Sequence, residues 1–329
     1  MNRNFVHNLK RQVCCFGITL IYFHAIGQQL PLSGLGYRQP FVFIPAYAGT
    51  SGSLVGMADG RSQWQGIEGN PETYSFRVEF PVFWYSLGAG LNLGKDATGL
   101  SQRIFVQPSM NKMFTLGSWL MSVGVHIEYS YHYFDGFSAR TPDGIYQGGH
   151  IDHQDPVIPP TEQSFQLMDA GVSWAIKGNG FQGGLVANRL LQSGSKNLPI
   201  VYANESHFGI HAAYKMSFQE WSIEPAVVLF SDLFHHQSQL FIQVEYNGNI
   251  FGGIHYRGYN RQSKESYGLS FGFGLNERWS VAYLHEFYLG GLSRSVVQKS
   301  QEFGIWYHLG RPVGQGRKPP QLRSPRYFD

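Results

Sequence analysis

The sequence predicts an all-β protein, a transmembrane antiparallel up-and-down β-barrel of about 14 strands with both termini on the periplasmic side. Hydrophobic residues make up 43% of the 329 residues, yet the mean hydropathy is only -0.22, so polar and apolar residues must be interleaved. Aromatic residues (16%) and 40 glycines accompany only 14% charged residues, as in strands with one face in lipid. Large and small side chains also alternate along the chain. A soluble β-sandwich is the alternative.

Residues 1–27 have the features of a signal peptide. An apolar run at 13–26 follows three basic residues, Arg3, Lys10 and Arg11. The run is shorter than the roughly 20 residues of a membrane-spanning helix, and small residues end it. We expect a mature chain that begins near Gln28. Both cysteines, Cys14 and Cys15, lie in this leader, so no disulfide is expected after export.

The alternation of side chains identifies two faces on each predicted strand. In segment 119–131 the odd positions, from Trp119 to Tyr131, are large and apolar, and the even positions include Ser122 and Glu128. Segment 267–275 alternates large apolar residues with glycine and serine. Charged residues of such segments fall on the polar face: Arg77, Glu79, Glu128, His211 and Lys215. A charge on a lipid face is costly, so the polar face is predicted to line a lumen.

Similar segments divide the mature chain into three parts. Residues 28–52 are a periplasmic N-terminal segment, 53–310 the barrel, and 311–329 a basic, proline-rich periplasmic tail. The predicted strands start near Ser53, Glu72, Ser86, Ser101, Leu116, Gln163, Phe181, His207, Gln219, Gln237, Asn249, Ser266, Arg278 and Lys299.

The predicted connections alternate between short and long. Tight turns are expected near Tyr85, Asn111, Gly178, Ser217, Gly248 and Asn276. Longer loops are expected near Gly66, Ala97, His150, Ser195, His235, Gln262 and Ser293. Outer-membrane barrels have short periplasmic turns and longer outer loops, which gives the predicted orientation.

The sequence offers little for catalysis, cofactors or metal ions. Potential metal ligands cluster in the longest predicted loop: Asp143, His150, Asp152, His153 and Asp155. Their spacing matches no closed ligand set, and the loop is rich in turn-forming residues. A serine and a histidine on the strands, for instance Ser122 and His126, could form a catalytic pair, but the sequence gives no geometry to support one. The net charge of +3 does not indicate a nucleic-acid partner. We predict no catalytic, cofactor or metal site.

Residues 44–82 resemble the start of the PorP/SprF family, outer-membrane proteins of the Bacteroidota type IX secretion system. The similarity comprises Pro45, Ala46, Tyr47, Ala48, Gly49, Arg61, Gln63, Trp64, Gly66, Pro71 and Thr73. Ile44 replaces the usual asparagine. Residues 272–294 and 300–310 are also similar to the family, with a Tyr-rich strand, a Leu-Ser hairpin loop and a Ser-x-Glu entry to the last strand.

The resemblance implies an accessory role in secretion. Members of the family assist export or surface attachment of secreted proteins such as gliding adhesins. Implied partners are outer-membrane lipid, the periplasmic lipoprotein-containing ring, the translocon and a substrate's C-terminal domain. An alternative is a channel or transporter for a small solute, because Gly124, Gly268, Gly272 and Gly274 on the predicted inner face would leave volume in the lumen.

Two segments outside the predicted strands are candidate partner-binding sites. Phe41, Phe43, Pro45 and Tyr47 lie just before the first strand, where they could enter the lumen as a partial plug, dock a partner or pack beneath the barrel rim. Within the tail, the candidates for binding an acidic periplasmic partner are Arg317, Lys318, Arg323 and Arg326.

Overall fold

The computed structural model describes residues 32–146, 150–195, 202–258, 264–289 and 299–310. The chain divides into two compact units, residues 1–32 and 33–329. The secondary structure described here belongs to the second unit. It opens with three short 3-10 helices, Gly36–Arg38, Pro40–Val42 and Pro45–Tyr47.

The strands that follow are antiparallel throughout the described residues. The first seven are β1 (Val55–Gln65), β2 (Glu72–Val82), β3 (Leu87–Thr98), β4 (Ser101–Leu116), β5 (Trp119–Asp135), β6 (Glu162–Gly178) and β7 (Phe181–Asn188). Two short strands, β8 (Gly194–Ser195) and β9 (Tyr202–Ala203), pair only with each other. The remainder are β10 (His207–Tyr214), β11 (Met216–Phe218), β12 (Trp221–Ser231), β13 (His236–Tyr246), β14 (Ile250–Gly258), β15 (Lys264–Gly274), β16 (Trp279–Tyr288) and β17 (Lys299–His308).

The sheet closes into a barrel of 14 strands. Each long strand pairs with its neighbours in the chain, and β1 also pairs with β17. The segment that contains β8 and β9 lies between β7 and β10, which pair with each other, and β10 also pairs with β12. The short strand β11 continues β10 along the edge of β12. The predicted all-β barrel of 14 strands is therefore confirmed, and each predicted strand start lies within three residues of the observed one.

Two of the predicted connections were wrong. Asn111 lies inside β4, and the chain turns instead at Gly117 and Ser118, where Gly117 has a φ of 59°. The predicted longer loop near Ala97 is a two-residue turn, Gly99–Leu100, because strand pairing continues to Thr98 and Ser101. Asparagine is common in turns, but the side chain of Asn111 is buried on the inner face of the barrel.

The two ends of the barrel differ in their connections. One end, called the turn end, carries the short connections after β2, β4, β6, β11, β13 and β15. The opposite end, called the loop end, carries the others, including residues 136–161 and 189–206. Val55 of β1 and His308 of β17 are paired at the turn end.

The outer face of the barrel is apolar and bounded by aromatic residues. Val125 and Ile127 face outward and are 58% and 49% exposed, whereas His126 between them is 3% exposed. Aromatic pairs occur near the turn end at Trp221–Tyr246, Trp279–Tyr307 and Trp119–Phe181. Others lie toward the loop end, at Trp64–Tyr288 and Tyr267–Phe287. Two aromatic girdles around an apolar band are typical of an outer-membrane barrel.

No helix among the described residues is long and apolar enough to cross a membrane.

Residues 33–49, called the plug, pack against the inner wall of the barrel. Glycines of the wall make room for it. A Cβ at Gly88 would lie 1.9 Å from the carbonyl oxygen of Ala48, and one at Gly90 would lie 2.4 Å from the ring of Phe41. The chain's own N-terminal segment thus occupies part of the space beside the small residues of the inner face.

We expect Gly88→Val to destabilise the folded protein by about 1–3 kcal/mol, because the added Cβ would overlap the plug backbone. The matched control is Ala89→Val, one residue along β3 on the outer face, expected to change stability by less than about 0.5 kcal/mol. Unfolding by urea in detergent micelles measures both. Equal effects of the two substitutions would contradict the packing described.

Candidate functional site

The aromatic residues of the plug are buried against the inner wall. Phe41, Phe43 and Tyr47 are each 3% exposed or less. The hydroxyl of Tyr47 lies 3.0 Å from Nδ1 of His211 on β10, and the ring of Phe43 stacks on His211 at a centroid distance of 6.2 Å. Pro45 opens the 3-10 helix that carries Tyr47. All four of the predicted N-terminal binding residues therefore lie in the lumen.

Two carboxylates of the wall bind the plug near its two ends. Glu302 on β17 accepts hydrogen bonds from the Ser33 hydroxyl, from Gly34 N at 2.7 Å and from Leu35 N at 3.2 Å. Glu79 on β2 accepts one from Gly49 N at 2.9 Å and one from Gln39 Nε2 at 3.4 Å. Hydrogen bonds to a charged group contribute about 1.5–3 kcal/mol each. Buried carboxyl groups of the wall thus hold both ends of the plug.

Between these ends, the wall contacts the plug through other groups. Asn111 on β4 donates from Nδ2 to the carbonyl oxygens of Ala46 at 2.6 Å and Ala48 at 2.9 Å. These bonds satisfy two carbonyl groups that the 3-10 geometry leaves free. Asn111, for which the sequence predicted a turn, is therefore one of the wall residues that hold the plug by hydrogen bonds.

Arg38 connects the plug to the opposite side of the barrel. Its guanidinium carbon lies 3.5 Å from the ring centroid of Phe251 and 5.7 Å from that of Trp306. A longer contact of 3.9 Å joins it to Glu245. A cation over an aromatic face is stabilised most when both are removed from water.

Paired charges line the wall between the plug and the loop end. Arg61 binds Glu286 at 2.7 Å and approaches Glu302 at 3.9 Å. Two further arginines on the wall have carboxylate partners, in the pairs Arg77–Asp59 and Arg103–Glu128. These side chains are buried, and such burial is tolerated only because each charge has a partner.

Described residues of the β7–β10 connection contact inner-wall side chains at the loop end of this charged layer. Asp169 on β6 accepts hydrogen bonds from Leu191 N at 2.9 Å and from Asn204 Nδ2 at 3.2 Å. His132 lies between the rings of Phe165 and Tyr202, at 4.9 and 4.6 Å. The described parts of the connection are thereby tied to the inner wall.

The remaining candidates from the sequence do not assemble into a reactive site. Ser122 and His126 lie four residues apart on β5, hence about 13 Å apart along the strand, too far for a catalytic pair. Asp152 binds the backbone and side chain of Gln154, and Asp155 binds Val157 N. His153 contacts Tyr146 and the carbonyl of Gly136. Arg317, Lys318, Arg323 and Arg326 lie outside the described residues.

Sequence motifs far apart in the chain meet in the lumen. The Arg-x-Gln-Trp motif supplies Arg61, the Ser-x-Glu motif supplies Glu302, and the Pro-Ala-Tyr-Ala-Gly motif forms the end of the plug. Arg61 lies beside Glu302, which binds the start of the plug. Strand periodicity does not indicate which inward residues face a plug, so the sequence pattern alone could not reveal this site.

Solved structures of low similarity include outer-membrane protein Omp33 of Acinetobacter baumannii, with 6% identity and a TM-score of 0.42 over 78% of this chain and 98% of that one. The CymD monoaromatic hydrocarbon channel shares 8% identity and a TM-score of 0.48, over 88% and 96%. The Ralstonia pickettii toluene transporter TbuX shares 9% and 0.47, over 84% and 93%. Similarity this low does not bear on function.

Among curated proteins, none matches the chain significantly. The family described as "Type IX secretion system membrane protein PorP/SprF" matches residues 26–306. That span includes the plug and nearly all of the barrel. The chain belongs to the PorP/SprF family, and it is an outer-membrane β-barrel component of the type IX secretion system.

Proposed function

We propose that this protein is a non-catalytic accessory component of the type IX secretion system, which assists export or surface attachment of secreted proteins such as gliding adhesins. The observation that carries the proposal is that the chain's own N-terminal segment occupies the barrel and is held at both ends by carboxylates. A closed barrel in a secretion system suits docking and assembly better than transport through its own lumen.

The alternative of a solute channel requires open volume beside the inner glycines. Beside Gly124, a Cβ would lie 3.3 Å from Cα of Ala46 in the plug. At Gly272, a Cβ would lie 2.3 Å from the ring of Phe251. Because plug and wall side chains already take up this space, the glycines favour a packed lumen over a permanent channel.

The position of the chain ends suggests where partners bind. The last described residue, Gly310, follows the pairing of Val55 with His308 at the turn end. With a cleaved signal peptide and a periplasmic turn end, the tail would reach the periplasmic ring of the secretion system. An acidic partner would then bind the basic side chains of the tail, Arg317, Lys318, Arg323 and Arg326. Phe41, Phe43, Pro45 and Tyr47 would contact a partner only after the plug leaves.

We expect Glu302→Gln to increase channel openings in planar lipid bilayers. The amide offers one acceptor oxygen, and its NH2 group opposes the N–H donors of the plug. A loss of about 2 kcal/mol would raise the ratio of released to bound plug about 30-fold. Single-channel recording compares it with the wild type, expected to remain closed for most of the record.

The control is Glu68→Gln, an exposed position in the β1–β2 loop, expected to behave as the wild type. Steady conductance of the wild type with solute selectivity would support the channel alternative instead. An unchanged opening frequency in Glu302→Gln would show that this carboxylate does not hold the plug.

Truncation after Gly310 is expected to leave an assembled barrel but to reduce capture of type IX components. The full-length and truncated chains, each with a C-terminal tag and expressed from the chromosome, are purified from solubilised outer membranes and their partners quantified by mass spectrometry. A matched variant replaces only Arg317, Lys318, Arg323 and Arg326 with serine, which tests charge separately from length. Undiminished capture of the periplasmic ring by both would contradict the role of the tail.

A further inference from the structure

A groove of about 600 Å³ interrupts the outer face of the barrel over β12 to β15. Its lining is apolar and includes Val244, Ile250, Ile254 and Phe271, with Trp221 and Tyr246 toward the turn end. The groove lies where the outward side chain of β14 is missing, at Gly252, which pairs with Val244 on one side and Phe271 on the other.

The backbone itself maintains this gap. A Cβ on Gly252 would lie 2.8 Å from the carbonyl oxygen of Ser270 on β15. Contacts this short to backbone atoms cannot be relieved by rotating a side chain. The close approach of β14 to β15 therefore disfavours a side chain at Gly252 and maintains the groove in the wall.

The dimensions of the groove select a thin apolar ligand. Strands β13 and β15 flank β14, so their backbones are about 10 Å apart. Between their side chains there is room for one hydrocarbon chain at about 4 Å from carbon atoms on either side. A membrane helix, roughly 10 Å across with its side chains, would not enter.

The position of the groove identifies the source of that chain. The groove opens on the apolar band that faces the outer membrane, and its turn-end rim is the aromatic pair Trp221–Tyr246, with ring centroids 4.6 Å apart. Such rings lie at the level of lipid head groups, where the indole N–H and the phenol can form hydrogen bonds. The groove thus opens toward the hydrocarbon region of the membrane, and its rim lies at the level of the lipid head groups.

We propose that the groove is a retained-lipid site, which holds one acyl chain of a phospholipid from the leaflet at the turn end. The acyl chain lies along Gly252 between Val244 and Phe271. The ester region of the lipid lies against Trp221 and Tyr246. This site is independent of the secretion role proposed above.

The test compares lipid retention by the wild type and by Val244→Trp, whose indole would fill the groove. Each protein is reconstituted in nanodiscs of phosphatidylethanolamine with an acyl-chain diazirine, irradiated, and mapped by peptide mass spectrometry. Native mass spectrometry of detergent-purified protein counts the lipids that remain bound. We expect cross-links concentrated on β13 to β15 and one retained phospholipid in the wild type. In Val244→Trp we expect the affinity for the retained phospholipid to fall about tenfold, because the loss of contacts to two methylene groups of the acyl chain is enough to produce a change of that size.

The matched control is Val125→Trp, on the lipid-facing side of β5 and away from the groove; it should retain lipid as the wild type does. Heat-modifiable mobility on gels verifies that each variant has formed its barrel. Equal retention by Val244→Trp, or cross-links spread evenly over the outer face, would overturn the proposal. So would a dimer with copy-to-copy cross-links at β13 to β15, which would assign the groove to a second copy of the chain.

Discussion

The packing of the lumen depends on the recognition of the plug backbone by three buried wall side chains, Glu79, Asn111 and Glu302. A barrel of 8 strands can fill its interior with its own side chains, but one of 14 strands encloses more space than they occupy. The plug supplies the missing volume, and wall glycines such as Gly88 let it approach. Removal of the plug would leave these polar groups without the backbone partners that they now have. Wall and plug therefore require each other.

Arg61 links the plug to the paired charges that line the wall between the plug and the loop end. It binds Glu286 and lies beside Glu302, so the carboxylate that holds residues 33–35 also belongs to the ion-pair network of the wall. A change at the plug therefore alters the electrostatic environment of the buried arginine. The family motifs from the first and the last strands of the chain thus meet in the lumen. Their shared location gives a physical reason for the residue types at Arg61 and Glu302.

The barrel could be predicted from sequence because lipid imposes a period of two on each strand. The alternation along β5 sets both the face and the approximate ends of the strand. The packing of the plug could not be predicted in this way, since its 3-10 helices have no regular apolar period and its contacts join residues more than 200 positions apart, as Gly34 and Glu302 do. Asn111 illustrates the same limit. A polar residue at this position suggested a turn, but its side chain donates hydrogen bonds to two carbonyl oxygens of the plug.

The arrangement of the two carboxylates also determines how the plug can be released. Glu302 holds residues 33–35 and Glu79 holds residues 39 and 49, so loss of one contact leaves the other in place. Breaking even one charged hydrogen bond at each carboxylate costs about 3–6 kcal/mol in total, which limits the released fraction to at most about 1 in 200 to 1 in 25,000. Spontaneous opening is therefore rare. A partner that binds the released segment could compensate this cost, and plug release would then report that the partner has docked.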